Sequence, residues 1–200
     1  MSKKYLLTLI VCAAAFAATD AVADTRQVSS NAESRGADAQ ANPEEAAIRR
    51  VLEEFRATQV SLSQAMSIAE RLHDSSKTTD ISFEISGPPV YRVRTVRNER
   101  VWENVIDANT GTVSDKETTF SLSELNREDL ANIIALEWIK QKLSDAVRVA
   151  EGAAAGRALA GGLMKQDNKL NFVVVVASGD RLNEVMLEPP KMVRNRSTHR

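Results

Sequence analysis

The period of the apolar positions changes several times along the chain, and each change marks a new element. Ile48, Val51, Leu52 and Phe55 recur at i, i+3, i+4 and i+7, the stripe of an amphipathic helix. Its start is marked by Asn42 as a cap, Pro43 at the first helical position, and Glu44 and Glu45 at the positive end of the dipole. A second helix is predicted at about 62–74: Ser61 and Gln64 form a capping box, and Leu62, Ala65, Met66 and Ala69 share one face. The period then falls to two. Ile81, Phe83 and Ile85 alternate with polar residues, as do Tyr91, Val93 and Thr95 after Gly87-Pro88-Pro89. A third strand runs from Arg100 to Asp107 after Asn98-Glu99 and closes at Asn109-Thr110-Gly111, which makes an antiparallel meander. A lone sheet of this size cannot hide its apolar face, so a helix is expected to cover it.

The plan then recurs. Ser121 to Lys140 reads as helix, with Leu130, Ile133, Ile134 and Trp138 on one side, and Leu143 to Glu151 as the next. Phe172 to Ala177 and Arg181 to Glu188 read as strands around a Gly179-Asp180 turn, while the small-residue run Gly152 to Gly162 gives no clear strand. At a constant offset of 81, Leu62, Ser63, Ala65, Ala69 and Glu70 meet Leu143, Ser144, Ala146, Ala150 and Glu151. The same offset relates Tyr91 to Phe172, Val93 to Val174, Arg100 to Arg181 and Glu103 to Glu184. One offset held through helix and strands predicts two copies of one module.

The ends differ from this body. Lys3 and Lys4, the apolar stretch Leu6 to Ala18, and Ala21-Val22-Ala23 have the three parts of a cleavable signal peptide over 1–23, too short to serve as a stable membrane anchor. Cleavage near Ala23 gives an expected periplasmic or secreted location. It also removes Cys12, the only cysteine, so the 177 residues that remain can form no disulfide and offer no thiolate. They carry 24 basic and 26 acidic residues, a balance with no global reason to bind nucleic acid. Residues 24–41 read as a flexible leader and 194–200 as a basic tail.

The first module resembles a PepSY domain. The resemblance rests on the helix entered as Ser61-Leu62-Ser63-Gln64-Ala65 and continuing Ile68-Ala69-Glu70, the central Tyr91-Arg92-Val93 strand, and the close Val105-Ile106-Asp107-Ala108-Asn109-Thr110-Gly111. It covers about 60–113 and, through the repeat, about 141–193 as a divergent copy, where Glu188-Pro189-Pro190 replaces the aspartate and Thr-Gly turn. The resemblance implies a non-enzymatic binding module, of a family that resembles parts of protease propeptides and restrains or tunes peptidases in the cell envelope.

Catalytic and metal chemistry find little footing among the residues. Counted from Asp107, the sixth and twelfth positions of a calcium loop are Thr112 and Thr118, where glycine and glutamate are needed, so Asn109-Thr110-Gly111 reads as a tight turn. His73 and His199 have no second histidine or cysteine at ligand spacing, and no Gly-x-Ser-x-Gly turn occurs. Arg92, Arg94, Arg97 and Arg100 cluster around the second strand as a candidate contact for an acidic partner; Arg92 and Arg94 point away from the Tyr91/Val93 face. The run Phe172 to Val176 is apolar on both faces, so its outer face needs a cover, expected from packing of copy on copy or a homodimer.

The expected architecture is therefore α+β: two similar units at 42–118 and 119–193, each a helix or helix pair on a sheet of about three antiparallel strands. The expected function is protein binding in the periplasm, with an envelope peptidase as partner, no catalytic residue and no cofactor. The alternative is a metal-ion or small-ligand binder using the surface carboxylates Glu103, Asp107 and Glu184.

Overall fold

The computed structural model describes residues 43–190 apart from 75, 86, 167 and 168. The signal peptide, the leader and the basic tail lie outside the described residues. The order is α1 (Pro43–Ala57), α2 (Leu62–Leu72), β1 (Lys77–Glu84), β2 (Val90–Arg97), β3 (Arg100–Asp107), β4 (Thr118–Ser121), a 3-10 turn (Leu122–Glu124), α3 (Arg127–Glu137), α4 (Leu143–Ala154), β5 (Arg157–Gln166), β6 (Lys169–Ser178) and β7 (Arg181–Leu187). The fold class is α+β, as the alternation of periods predicts.

The sheet is larger than the sequence led us to expect. Instead of two sheets of three strands there is one antiparallel sheet of seven, in the order β4-β3-β2-β1-β5-β6-β7. The two meanders join where β1 pairs with β5, Ile81 lying opposite Gly161 and Asp80 opposite Gly162. Pairing the two inner edges removes a pair of exposed strand edges. β5 begins within the small-residue run that gave no strand signal and continues past it to Gln166. β4 ends at Ser121, where a single helix reads from the sequence, and the 3-10 turn follows it before the helix itself starts at Arg127.

Two faces of the sheet are treated differently. One receives α1, α2 and α4 over Ile81, Phe83, Tyr91, Val93, Phe172, Val174 and Val176, all in one hydrophobic core. α1 delivers Val51, Leu52 and Phe55 to it, with Phe55 set edge-on to Phe83. α2 is held at its start by the capping box: Ser61 Oγ accepts from Gln64 N–H, and Gln64 Oε1 accepts from Ser61 N–H. Its buried face is Leu62, Ala65, Met66 and Ala69; that of α4 is Leu143, Ala146, Val147 and Ala150.

α3 lies across the opposite face, packed on β5 and β6, and it supplies the cover that Val173 and Val175 need. Val175 is 3% exposed. The expected copy-on-copy or homodimer cover is thus replaced by a helix of the same chain.

Tyr91 ties the core to the α1–α2 connection. Its buried hydroxyl donates to Val60 O at 2.8 Å, and burial raises its pKa. Tyr91→Phe leaves that carbonyl without its donor and is expected to cost about 1–2 kcal/mol, read as a lower urea midpoint at unchanged slope.

Candidate functional site

The four arginines of β2 and its turn are divided by the structure into two settings. Alternation along β2 sends Arg92 and Arg94 to the face under α3. There Arg92 grips Glu84 through two bonds, Nε to Oε1 at 2.9 Å and Nη2 to Oε2 at 3.0 Å, and reaches Glu103 Oε1 at 2.8 Å. Arg94 donates to Glu103 Oε2 at 3.0 Å and to Asp129 Oδ2 of α3 at 3.4 Å. Burial alone would raise the Glu103 pKa, but hydrogen bonds from Arg94 and Arg92 outweigh it and hold the carboxyl below its usual range. The Arg92 guanidinium is pushed further up, chiefly by its bonds to Glu84. These two arginines are committed within the molecule, and Arg94 helps to seat α3.

Beneath α3 the same network borders a cavity of about 60 Å³, lined by Thr79, Asp80, Arg94, Asp129, Asn132 and Ile133 among others. Asp80 is only intermediate by accessible area, yet protein surrounds its carboxyl on nearly every side. Burial raises its pKa to about 6; Arg94 opposes the rise, while Asp129, Glu103 and Glu84 add to it. Arg94 Nε and Asn132 Oδ1 are buried there without a hydrogen-bond partner. Gly162 makes the fit possible, because a β-carbon there would stand 2.7 Å from Asp80 Oδ2.

Arg97 and Arg100 occupy the second setting, at the hairpin between β2 and β3. They lie opposite each other in register, joined by Asn98 and Glu99, both at positive φ (48° and 63°) as a two-residue hairpin demands. Arg97 pairs with Asp74 at 2.9 Å. Beside them Trp102 stacks on His73, with centroids 4.2 Å apart and planes 8° from parallel. His73 Nε2 lies 2.8 Å from Glu117 Oε2, which also accepts from Asn104 Nδ2 at 2.7 Å. The result is an open cleft of about 460 Å³ with a cationic rim and an aromatic wall.

The three carboxylates of the alternative reading are not brought together. Glu103 is bound by two arginines. Asp107 Oδ1 accepts from the backbone N–H of Thr110 and Asn109 at 2.7 and 2.9 Å, bonds that lower its pKa, and closes the turn at Gly111 (φ 74°). Glu184 is on β7, five strand spacings from β3, about 24 Å across the sheet. Among the described residues no group of three or more His, Cys, Asp or Glu side chains is placed to hold a metal ion.

Sequence reasoning missed Asp80, Asp129 and Asn132. Asp80 occupies a polar slot in an alternating strand, and only the β1–β5 pairing and the seat of α3 turn that slot inward. The His73, Trp102 and Glu117 grouping joins residues 44 positions apart, for which the chain carries no local signal.

Part of the chain is similar in sequence to a known family. Residues 59–117 match the PepSY family, described as the peptidase propeptide and YPEB domain. That segment is similar to a PepSY domain. The match spans α2, the β1–β3 meander and the Asp107 turn. No curated protein matches the chain. A crystal structure from Clostridium difficile 630, described as a "putative lipoprotein", is similar at 19% identity and a TM-score of 0.40, over 67% of this chain and 89% of that one. Among the described residues no helix is long and apolar enough to cross a membrane.

Proposed function

We propose that the protein is an exported, non-enzymatic binding module that restrains or tunes a peptidase of the cell envelope. The match of 59–117 to the PepSY domain carries this reading, because propeptide-like domains act by contact with a peptidase rather than by chemistry. The amino-terminal pattern of residues 1–23 supports export.

We further propose that 141–193 repeat the module. α2 and α4 begin 81 residues apart, as do β3 and β7, and their buried quartets correspond position by position. Of the four arginines read as a contact surface, we retain Arg97 and Arg100, which border the open cleft with only the exposed Asp74 beside them, whereas Arg92 and Arg94 are held by Glu84, Glu103 and Asp129.

Crosslinking in the cell envelope tests the reading. Adducts with a peptidase are expected, together with a lower turnover of that peptidase when the purified protein is added. Recovery of self-adducts alone would overturn it.

A further inference from the structure

The cleft at the β2–β3 hairpin has a chemistry that selects its ligand. Register places Arg97 and Arg100 directly opposite each other, an arrangement in which like charges repel. Arg97 is neutralised by Asp74, whose side chain is 90% exposed. Arg100 makes no ion pair among the described residues and stands in the open cleft. Trp102 follows Arg100 by two positions and so shares its side of the sheet. The stack on His73 fixes the indole, and Glu117, itself held by Asn104, fixes His73. Leu72, 46% exposed, extends the apolar wall.

We propose that this cleft is the recognition site for a peptide carboxylate. The carboxylate lies between Arg100 and Arg97, displacing Asp74, and an adjoining apolar side chain packs on Trp102 and Leu72. Arginine suits this role because its planar fork matches the two oxygens of a carboxylate. Asp74 then acts as a competitor built into the fold, a carboxylate already sitting where the ligand's would go. The inference rests on the binding-module reading and names the contact through which it works.

Two substitutions of opposite sign test it. Trp138→Phe leaves Trp102 as the only tryptophan, so its emission reports the cleft. The probes are acetyl-Leu-Asp-amide, with a side-chain carboxylate, acetyl-Leu-Leu free acid, with a terminal one, and acetyl-Leu-Asn-amide, with neither. Saturable change with at least one acid and none with the neutral amide is expected, and the responding acid identifies the carboxylate's source. Arg100→Ala is expected to weaken binding about tenfold, whereas Arg181→Ala, the same charge change on the distant edge strand, leaves it unchanged. Asp74→Asn is expected to tighten binding, and asparagine tolerates the positive φ of 46° at this position. The proposal is overturned by no response to any probe, by equal binding of the neutral amide, or by equal losses in Arg100→Ala and Arg181→Ala. A peptidase adduct that survives Arg100→Ala would retire the cleft and leave the proposed function standing; absence of any peptidase adduct would retire the function itself.

Discussion

Asp80→Asn is expected to stabilise the protein at pH 7.5 by roughly 2 kcal/mol, a gain that disappears by pH 4. Replacing a charged side chain by an amide usually costs a folded protein; here the charge is the liability. Asp80 lies under α3 with no donor bonded to its carboxyl among the described residues, and Asp129, Glu103 and Glu84 add repulsion that Arg94 only partly offsets. Its pKa of about 6 stands above the ordinary 3.8 of the unfolded chain, so the folded form binds an additional proton between those values. Wild-type protein carries the full penalty above pH 6 and is relieved of it as the pH falls toward 3.8. The gap is worth about 3 kcal/mol at 1.36 kcal/mol per pKa unit, and burying the new amide takes back part of it. The amide also brings a donor into the cavity that Asn132 Oδ1 lines without a partner. Urea unfolding of both proteins at pH 7.5 and pH 4 measures the difference, in which the carboxylates that do not interact with Asp80 cancel. An equal or lower midpoint for Asp80→Asn at pH 7.5 would refute the account.

The residues that were legible are those whose signal is local. Ser61 and Gln64 form both halves of their capping box, Ile48 to Phe55 present one stripe to the core, and Asn98-Glu99 makes the hairpin. The failures arise where a tertiary demand overrides local preference. β5 begins Arg-Ala-Leu-Ala-Gly-Gly, a stretch of low strand propensity that tertiary pairing nevertheless holds as a strand. Just before it, a β-carbon on Gly156 would stand 2.2 Å from Ala177 O, and within it Gly162 must clear Asp80. At Ser121, where the sequence reads as the start of a helix, Glu124 accepts from Ser121 N–H, but this closes only a 3-10 turn. The helix begins again at Asn126, whose Oδ1 accepts from the N–H groups of Glu128 and Asp129.

The candidate site was legible in its residue types and illegible in its division. Four arginines within nine positions mark a basic strand and turn, but alternation alone cannot say which side α3 will cover. That helix arrives from another part of the chain, and Asp129 converts Arg94 from a surface charge into a seat for it. Arg97 lies an odd number of positions from Arg92 and Arg94, so alternation turns it, with its register partner Arg100, to the other side of the sheet, where the pair flanks the hairpin.

Phe172→Ala is expected to destabilise the whole chain by about 3–5 kcal/mol, the usual cost of truncating a fully buried phenylalanine. The informative part is where the loss is seen. If the two meanders fold separately, a cavity in β6 leaves Trp102, on β3, unfolding at its original midpoint. The structure argues otherwise. The β1–β5 pairing makes one sheet, and a single hydrophobic core runs from Val51 of α1 to Val176 of β6. Polar bonds cross the same boundary: Arg56 donates to Gly179 O at 2.8 Å, Arg157 to Thr58 Oγ1 at 3.2 Å, and Lys142 pairs with Glu70 at 3.1 Å. The exposed ion pair adds little, but the shared core cannot be opened on one side alone. In Trp138→Phe protein, the emission of Trp102 and the far-ultraviolet dichroism should therefore shift together to lower urea as one transition. A Trp102 midpoint unmoved by Phe172→Ala, with an earlier separate loss of dichroism, would show two folding units that merely share a sheet.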